Sequence, residues 1–97
     1  ANLTGADLSE VNFKGTNFFL ANLTGANLTG ADLTGANLLG VKFSKANLNG
    51  ANLDGAHVYL TDFRDVDLNS TTLGNIDISA ARLCNTKVYG EIFNIGC

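Results

Sequence analysis

A chain of 97 residues with a net charge of -3, of which 45% are hydrophobic and 15% charged, makes one domain with a slim core. That balance excludes a disordered chain, because enough apolar side chain is present to offset the entropy of ordering, and the acidic excess disfavours direct binding to nucleic acid. No apolar run approaches the roughly 20 residues that span a bilayer, and no basic segment followed by an apolar stretch opens the chain, so no membrane insertion is expected.

The pattern that starts the chain runs to its end. Every fifth residue is large and apolar: Leu3, Leu8, Phe13, Phe18, Leu23, Leu28, Leu33, Leu38, Phe43, Leu48, Leu53, Val58, Phe63, Leu68, Leu73, Ile78, Leu83, Val88 and Phe93. Two residues before each stands a smaller or β-branched side chain, Ala in most repeats, Val at Val11, Val41 and Val66, and Thr at Thr16, Thr61, Thr71 and Thr86. Between the two lies Asn or Asp in thirteen repeats.

A period of five suits neither regular element. On an α-helix, steps of five rotate by about 140° and wrap the apolar series around the whole surface. In a straight strand an odd step changes face, which would leave alternate large residues in water. The conflict disappears if the chain turns a corner once per repeat, with the small and the large residue both pointing inward along a short extended leg.

The corner slot is Gly in nine repeats, which suits a positive φ. Glu10, Leu20, Lys45 and Leu60 occupy the same slot, so positive φ is not expected to be obligatory at every corner. Coils of such legs would stack about 4.8 Å apart, pairing as parallel strands do. The recurrent Asn and Thr are expected to form side-chain ladders up the faces.

The phrase A(N/D)LXX, as in "ANLTG", "ANLNG" and "ANLDG", resembles the pentapeptide repeat family, and the resemblance covers the whole chain. It implies an all-β fold, a right-handed quadrilateral parallel β-helix with twenty residues per coil. The chain would then form about five coils as a single domain, 1–97, roughly 24 Å long. Sorting outward residues by twenty gathers Phe19, Leu39 and Tyr59 into one stripe beside Leu20 and Leu60, whereas sorting by fifteen sets Phe19 over Thr34 and Asn49. From about residue 72 the phrase decays: Thr72, Arg82 and Lys87 replace Asn or Asp, and Glu91 falls at a small inward position. This portion reads as a degenerate or terminating coil, with Ile92, Phe93 and Ile95 available to plug the core. Cys84 and Cys97 have no framework or CxxC spacing, so two reduced thiols are the default expectation.

Function is read from the exceptions to the phrase. Phe19, Leu20, Leu39, Tyr59 and Leu60 form the candidate interaction face, an aligned apolar patch expected to face solvent and to engage a protein partner or a second copy. The ends of the rod are a second candidate for self-association. The resemblance extends to inhibitors of DNA gyrase whose acidic rods are similar to duplex DNA, so a DNA-mimicking regulator of gyrase or of another DNA-binding protein is the alternative. Carboxylates here are interrupted: Asp7, Glu10 and Asp67 share a face with Lys87, Asp62 and Asp65 lie beside Arg64, Lys42 and Lys45, and Asp32 and Asp54 accompany Lys14.

No catalytic, cofactor or metal site is read. His57 stands alone at an outward slot, and it does not fall with Cys84 and Cys97 on one face of adjacent coils. Asn2-Leu3-Thr4, Asn22-Leu23-Thr24 and Asn27-Leu28-Thr29 match the glycosylation acceptor pattern only as a product of the repeat, and Asn69-Ser70-Thr71 matches it too. The expected role is therefore a non-enzymatic structural or protein-protein interaction module. The family is abundant in cyanobacteria, where some members carry signals for the thylakoid lumen or periplasm. The chain lacks an initiator Met and begins within its own pattern, so Ala1 reads as a processed or trimmed end. That leaves the cytoplasm or, after removal of an upstream signal, the lumen or periplasm.

Overall fold

A computed structural model describes residues 2–95 and 97. Ala1, the first small inward position, lies outside the described residues. Every isolated β-bridge among the described residues is parallel and joins a residue to the one twenty positions later, from Asn2 with Asn22 to Asp67 with Lys87. Four five-residue repeats therefore close each coil. The molecule measures 28 × 24 × 20 Å.

The local cause of the coil is a hydrogen-bonded turn at the end of each repeat. The amide of Ala6 donates to Leu3 C=O at 3.0 Å, and Ala21 does the same to Phe18 at 2.8 Å. Within these turns only the second central residue has positive φ, about 70° at Gly5 and Gly25, which defines a type II turn. Glu10, Leu20, Lys45, Leu60 and Asp65 adopt φ of 58–62° in the same slot. Ser70, Asn75 and Ala80 occupy the slot without positive φ, so the left-handed region is common at non-glycine corners but, as expected, not obligatory. Where the legs are laddered to their neighbours, the corner geometry is imposed on Glu10, Leu20, Lys45, Leu60 and Asp65 at a strain of about 1–2 kcal/mol each.

The Asn and Asp preference has a local cause as well. Asn22 Oδ1 accepts from Thr24 N–H at 3.1 Å and from Thr24 Oγ1 at 2.7 Å, and the same Asx-turn recurs at Asn2, Asn27 and Asp32. Side-chain bonds between equivalent positions one coil apart occur at Asn17–Asn37 and Asp65–Asn85. The continuous ladders expected from the sequence are thus replaced by turns, because the oxygen reaches an amide two residues on more readily than a side chain one coil away.

The core is a stack of equivalent side chains. Leu23, Leu28, Leu33, Leu38, Phe43, Leu48, Leu53, Phe63, Leu68 and Leu83 are fully enclosed, and Phe18, Val58, Leu73 and Val88 are buried. Phe43 and Phe63, one coil apart, lie parallel with centroids 5.5 Å apart. Leu3, Leu8 and Phe13 in the first coil are half-buried, as are Ile78 and Phe93 near the other end. The inward Thr61, Thr71 and Thr86 remain satisfied, each donating its hydroxyl at 2.7 Å to the carbonyl of Leu38, Leu48 and Phe63 respectively.

Beyond residue 74 the coil gives way to other elements. Asp77 caps a 3-10 helix, Ile78–Ala80. Strand β1, Leu83–Val88, lies along the preceding coil, with Phe63 N–H on Arg82 C=O and Lys87 N–H on Val66 C=O. Strand β2, Glu91–Ile95, returns antiparallel to β1. The reversal is Tyr89-Gly90, with φ of 50° and 81°, the two-residue turn whose twist suits a hairpin. The reversal also carries Cys97 back to Cys84, and the two are joined in a disulfide with Cα atoms 5.4 Å apart. This overturns the expectation of two reduced thiols, since the spacing of Cys84 and Cys97 does not show that they meet until the hairpin has formed.

Candidate interaction surface

Twenty-residue periodicity aligns the turn residues of successive coils into four corners. Three of these corners carry polar or glycine residues through the regular coils, as at Thr24-Gly25, Thr29-Gly30 and Thr34-Gly35 within one coil. The fourth holds Phe19-Leu20, Leu39-Gly40 and Tyr59-Leu60 in sequence up the stack. Backbone bonds fix their alignment, with Leu20 N–H on Leu39 C=O and Gly40 N–H on Tyr59 C=O, both at 3.0 Å.

Phe19, Leu20, Tyr59 and Leu60 are 52–60% exposed. Leu39, expected to face solvent like its two neighbours, is half-buried. Leu20 leans over Gly40 closely enough that a Cβ there would meet Leu20 Cδ2 at 2.5 Å. The five residues therefore make one apolar corner, with Leu39 at its floor and the other four as its walls.

One end of this corner opens into a groove of about 280 Å³, lined on one side by residues 55–59 and on the other by Asn75, Ile76, Asp77 and Ala80. Its cause is a break in the ladder. In the regular coils Leu38 N–H reaches His57 C=O and His57 N–H reaches Ala36 C=O, at 2.9 Å each. One coil further on, Asp77 instead gives its carbonyl to Ala80 N–H in the 3-10 helix. Among the described residues, Gly55 N–H, Ala56 C=O and Val58 N–H are left without a backbone partner in the next coil. His57 is exposed on this groove.

The charged residues are engaged locally. Asp62, only 5% exposed, accepts from Arg64 Nε through both carboxylate oxygens, at 2.9 and 3.0 Å, and Arg64 Nη2 lies 2.8 Å from Oδ2. Burial acts to raise the Asp62 pKa, but hydrogen bonds from the Arg64 side chain and backbone, with the charges of Arg64 and Arg82, outweigh it and hold the carboxyl below its usual range. Asp7 and Asp32 are lowered mainly by hydrogen bonds from the hydroxyls of Ser9 and Thr34. No group of three or more His, Cys, Asp or Glu among the described residues is placed to hold a metal ion. Among those residues, no helix is long and apolar enough to cross a membrane.

Residues that sequence reasoning missed lie at the C-terminal hairpin. Tyr89 is 71% exposed, and Ile92 and Ile95, read as a core plug together with Phe93, are exposed instead. Only Phe93 turns toward the core. The signal was present in "KVYGEIF", residues 87–93, where a two-residue turn ending in Gly separates strand-forming residues.

A family model for pentapeptide repeats matches residues 1–35 and 21–58, in eight copies. The chain belongs to the pentapeptide repeat family. Three solved structures of this family resemble it across most of its length. HetL, a pentapeptide repeat protein involved in heterocyst differentiation regulation from the cyanobacterium Nostoc sp. strain PCC 7120, superposes with a TM-score of 0.89 at 26% identity, over 95% of this chain and 43% of HetL. Rfr23 from the cyanobacterium Cyanothece 51142 gives 0.76 at 30% identity, over 97% of this chain and 58% of Rfr23. A protein of the Arabidopsis thaliana thylakoid lumen gives 0.65 at 27% identity, over 88% and 63% of the respective chains. The pentapeptide repeat chain described here thus spans about half the length of these proteins. No relative is found among curated proteins.

Proposed function

We propose that this chain is a non-enzymatic interaction module that engages a protein partner through the corner formed by Phe19, Leu20, Leu39, Tyr59 and Leu60. The observation that carries the reading is the exposure of four large apolar side chains aligned by the coil register on one corner while the other corners of the regular coils are polar. A rigid coil stack adds little ordering entropy on binding, so its contacts convert into affinity efficiently. HetL supplies a precedent for a regulatory role, and that precedent extends to this chain as part of the proposal.

The test is Tyr59→Asp. The side chain is exposed, so circular dichroism should be unchanged, while partner capture in a pull-down from a cyanobacterial lysate should fall at least tenfold. Unchanged capture by a folded variant would remove the corner as the binding surface.

A further inference from the structure

The groove at His57 is a missing rung of the ladder. On one edge His57 bridges Asn37 in parallel, with its N–H on Ala36 C=O and its C=O taking Leu38 N–H. On the other edge Ala56 C=O and Val58 N–H form the matching bracket. Asp77, which the twenty-residue register would seat between them, is bonded into the 3-10 helix instead. Ala56 and Val58 are only 7% and 4% exposed, so the unpaired groups sit at the bottom of the groove rather than on an open face. A buried donor and acceptor without partners favour a ligand that offers the complementary pair.

The chain's own leg does not fill the gap. Ile76 stands in the small inward slot, in the column that holds Ala36 and Ala56, and positive φ falls one residue early at Gly74. The volume, about 280 Å³, is below the roughly 300–1,000 Å³ that enclose a drug-sized ligand, so a stretch of extended chain suits the groove better than a compact molecule. Its charge is negative. Asp77 is the one Asp, Glu, Lys or Arg in the lining, and Asp54 precedes Gly55 at its edge. Asp77 Oδ1 accepts from Ser79 N–H and Oγ, while Oδ2 has no hydrogen-bond partner among the described residues.

We propose that the groove takes up an extended segment of a protein partner by strand addition, parallel to residues 56–58, with a Lys or Arg between two small residues at its centre. The N–H of the central residue donates to Ala56 C=O and its C=O accepts from Val58 N–H, the pair of bonds that one coil makes to the next. Its side chain points outward beside His57, toward Asp77. The two neighbours point inward over Ala56 and Val58, where half-buried Ile76 and Ile78 leave room for small side chains alone. This contact is made by main-chain groups beyond the apolar corner, and it holds whether or not the corner binds.

Isotope-labelled protein titrated with the peptide acetyl-Thr-Ala-Arg-Ala-Thr-amide, followed by amide chemical shifts, tests the assignment. Saturable shifts are expected at Gly55, His57 and Val58 by about 5 mM peptide, the range in which so small a contact saturates. The same peptide methylated on the Arg amide nitrogen lacks the hydrogen given to Ala56 C=O and should bind at least about tenfold more weakly. Glu in place of its Arg should weaken binding about threefold or more at low salt, and that preference should shrink in Asp77→Asn, which keeps the helix cap. Phe19→Asp, at the far end of the apolar corner, should leave the titration unchanged, so failure of the corner reading and failure of this one are told apart. No shift at Gly55 and Val58 up to that concentration overturns the proposal. So does equal binding of the methylated peptide, or an Arg preference untouched by Asp77→Asn.

Discussion

Residues 2–73 and residues 75–95 contain the same apolar spacing, yet they fold by different means. In the first region the inward residues, the type II corner and the twenty-residue ladder agree at nearly every repeat, so even Leu20 and Lys45 are driven to φ near 60°, with Ser70 the corner that departs. At the junction positive φ falls at Gly74, one residue before the regular slot, and the slot residues Asn75 and Ala80 that follow do not adopt it, although Asn85 and Gly90 do. A shift of one residue at a corner is enough to release the leg that follows, and local devices take over: a capped 3-10 helix, a tight hairpin and a disulfide. Register is a collective property of the coils. Once it is lost, short-range hydrogen bonds decide the path.

The largest effect is expected from breaking the regular region. Leu53 is fully enclosed, and Leu53→Asp would bury an unpaired carboxylate between coils, a penalty on the order of 5 kcal/mol or more that removes the folded circular dichroism signal. Next comes the clip of the second region. Cys97→Ser opens a loop with a sequence separation of 13 and should destabilise the hairpin by about 3 kcal/mol. Hydrogen exchange should accelerate in β1 and β2 while the amides of the earlier coils keep their protection.

Acid should act progressively and on the regular region. Asp62, Asp7 and Asp32 have pKa values lowered by folding, so their contribution is fully present above the ordinary value of about 3.9 and is lost as pH falls through the lower folded values. Urea midpoints should be level from pH 5 to 7 and decline below about pH 4, less steeply in Asp62→Asn. A decline between pH 5 and 7 would contradict this. The smallest effect is a gain: Lys45→Gly relieves a non-glycine corner at φ 61° and should add about 0.5–1 kcal/mol in chemical denaturation.

The core was legible in the sequence because its period is uninterrupted, and the coil length could be read by sorting outward residues such as Phe19, Leu39 and Tyr59 by twenty. Leu39 is half-buried where Phe19 and Tyr59 are exposed, and exposure depends on side-chain lean between coils, such as that of Leu20 over Gly40, which no spacing records. The groove at His57 was hidden for a related reason. Asp77 continues the Asn/Asp pattern, but its carbonyl accepts from Ala80 N–H in a 3-10 helix, which withdraws it from the ladder. The disulfide escaped notice because Cys84 and Cys97 meet only after the turn at Tyr89-Gly90.

Residue-resolved amide hydrogen exchange on the native protein tests the contrast between the two regions most directly. Leu38, Phe43 and Leu53, whose amides donate across coils, should exchange only by global unfolding, while Gly55 and Val58, facing the released leg, should exchange orders of magnitude faster. Equal, slow exchange at all five amides would mean that the ladder runs unbroken past His57, and the division of the molecule into a registered stack and a locally folded end would be wrong.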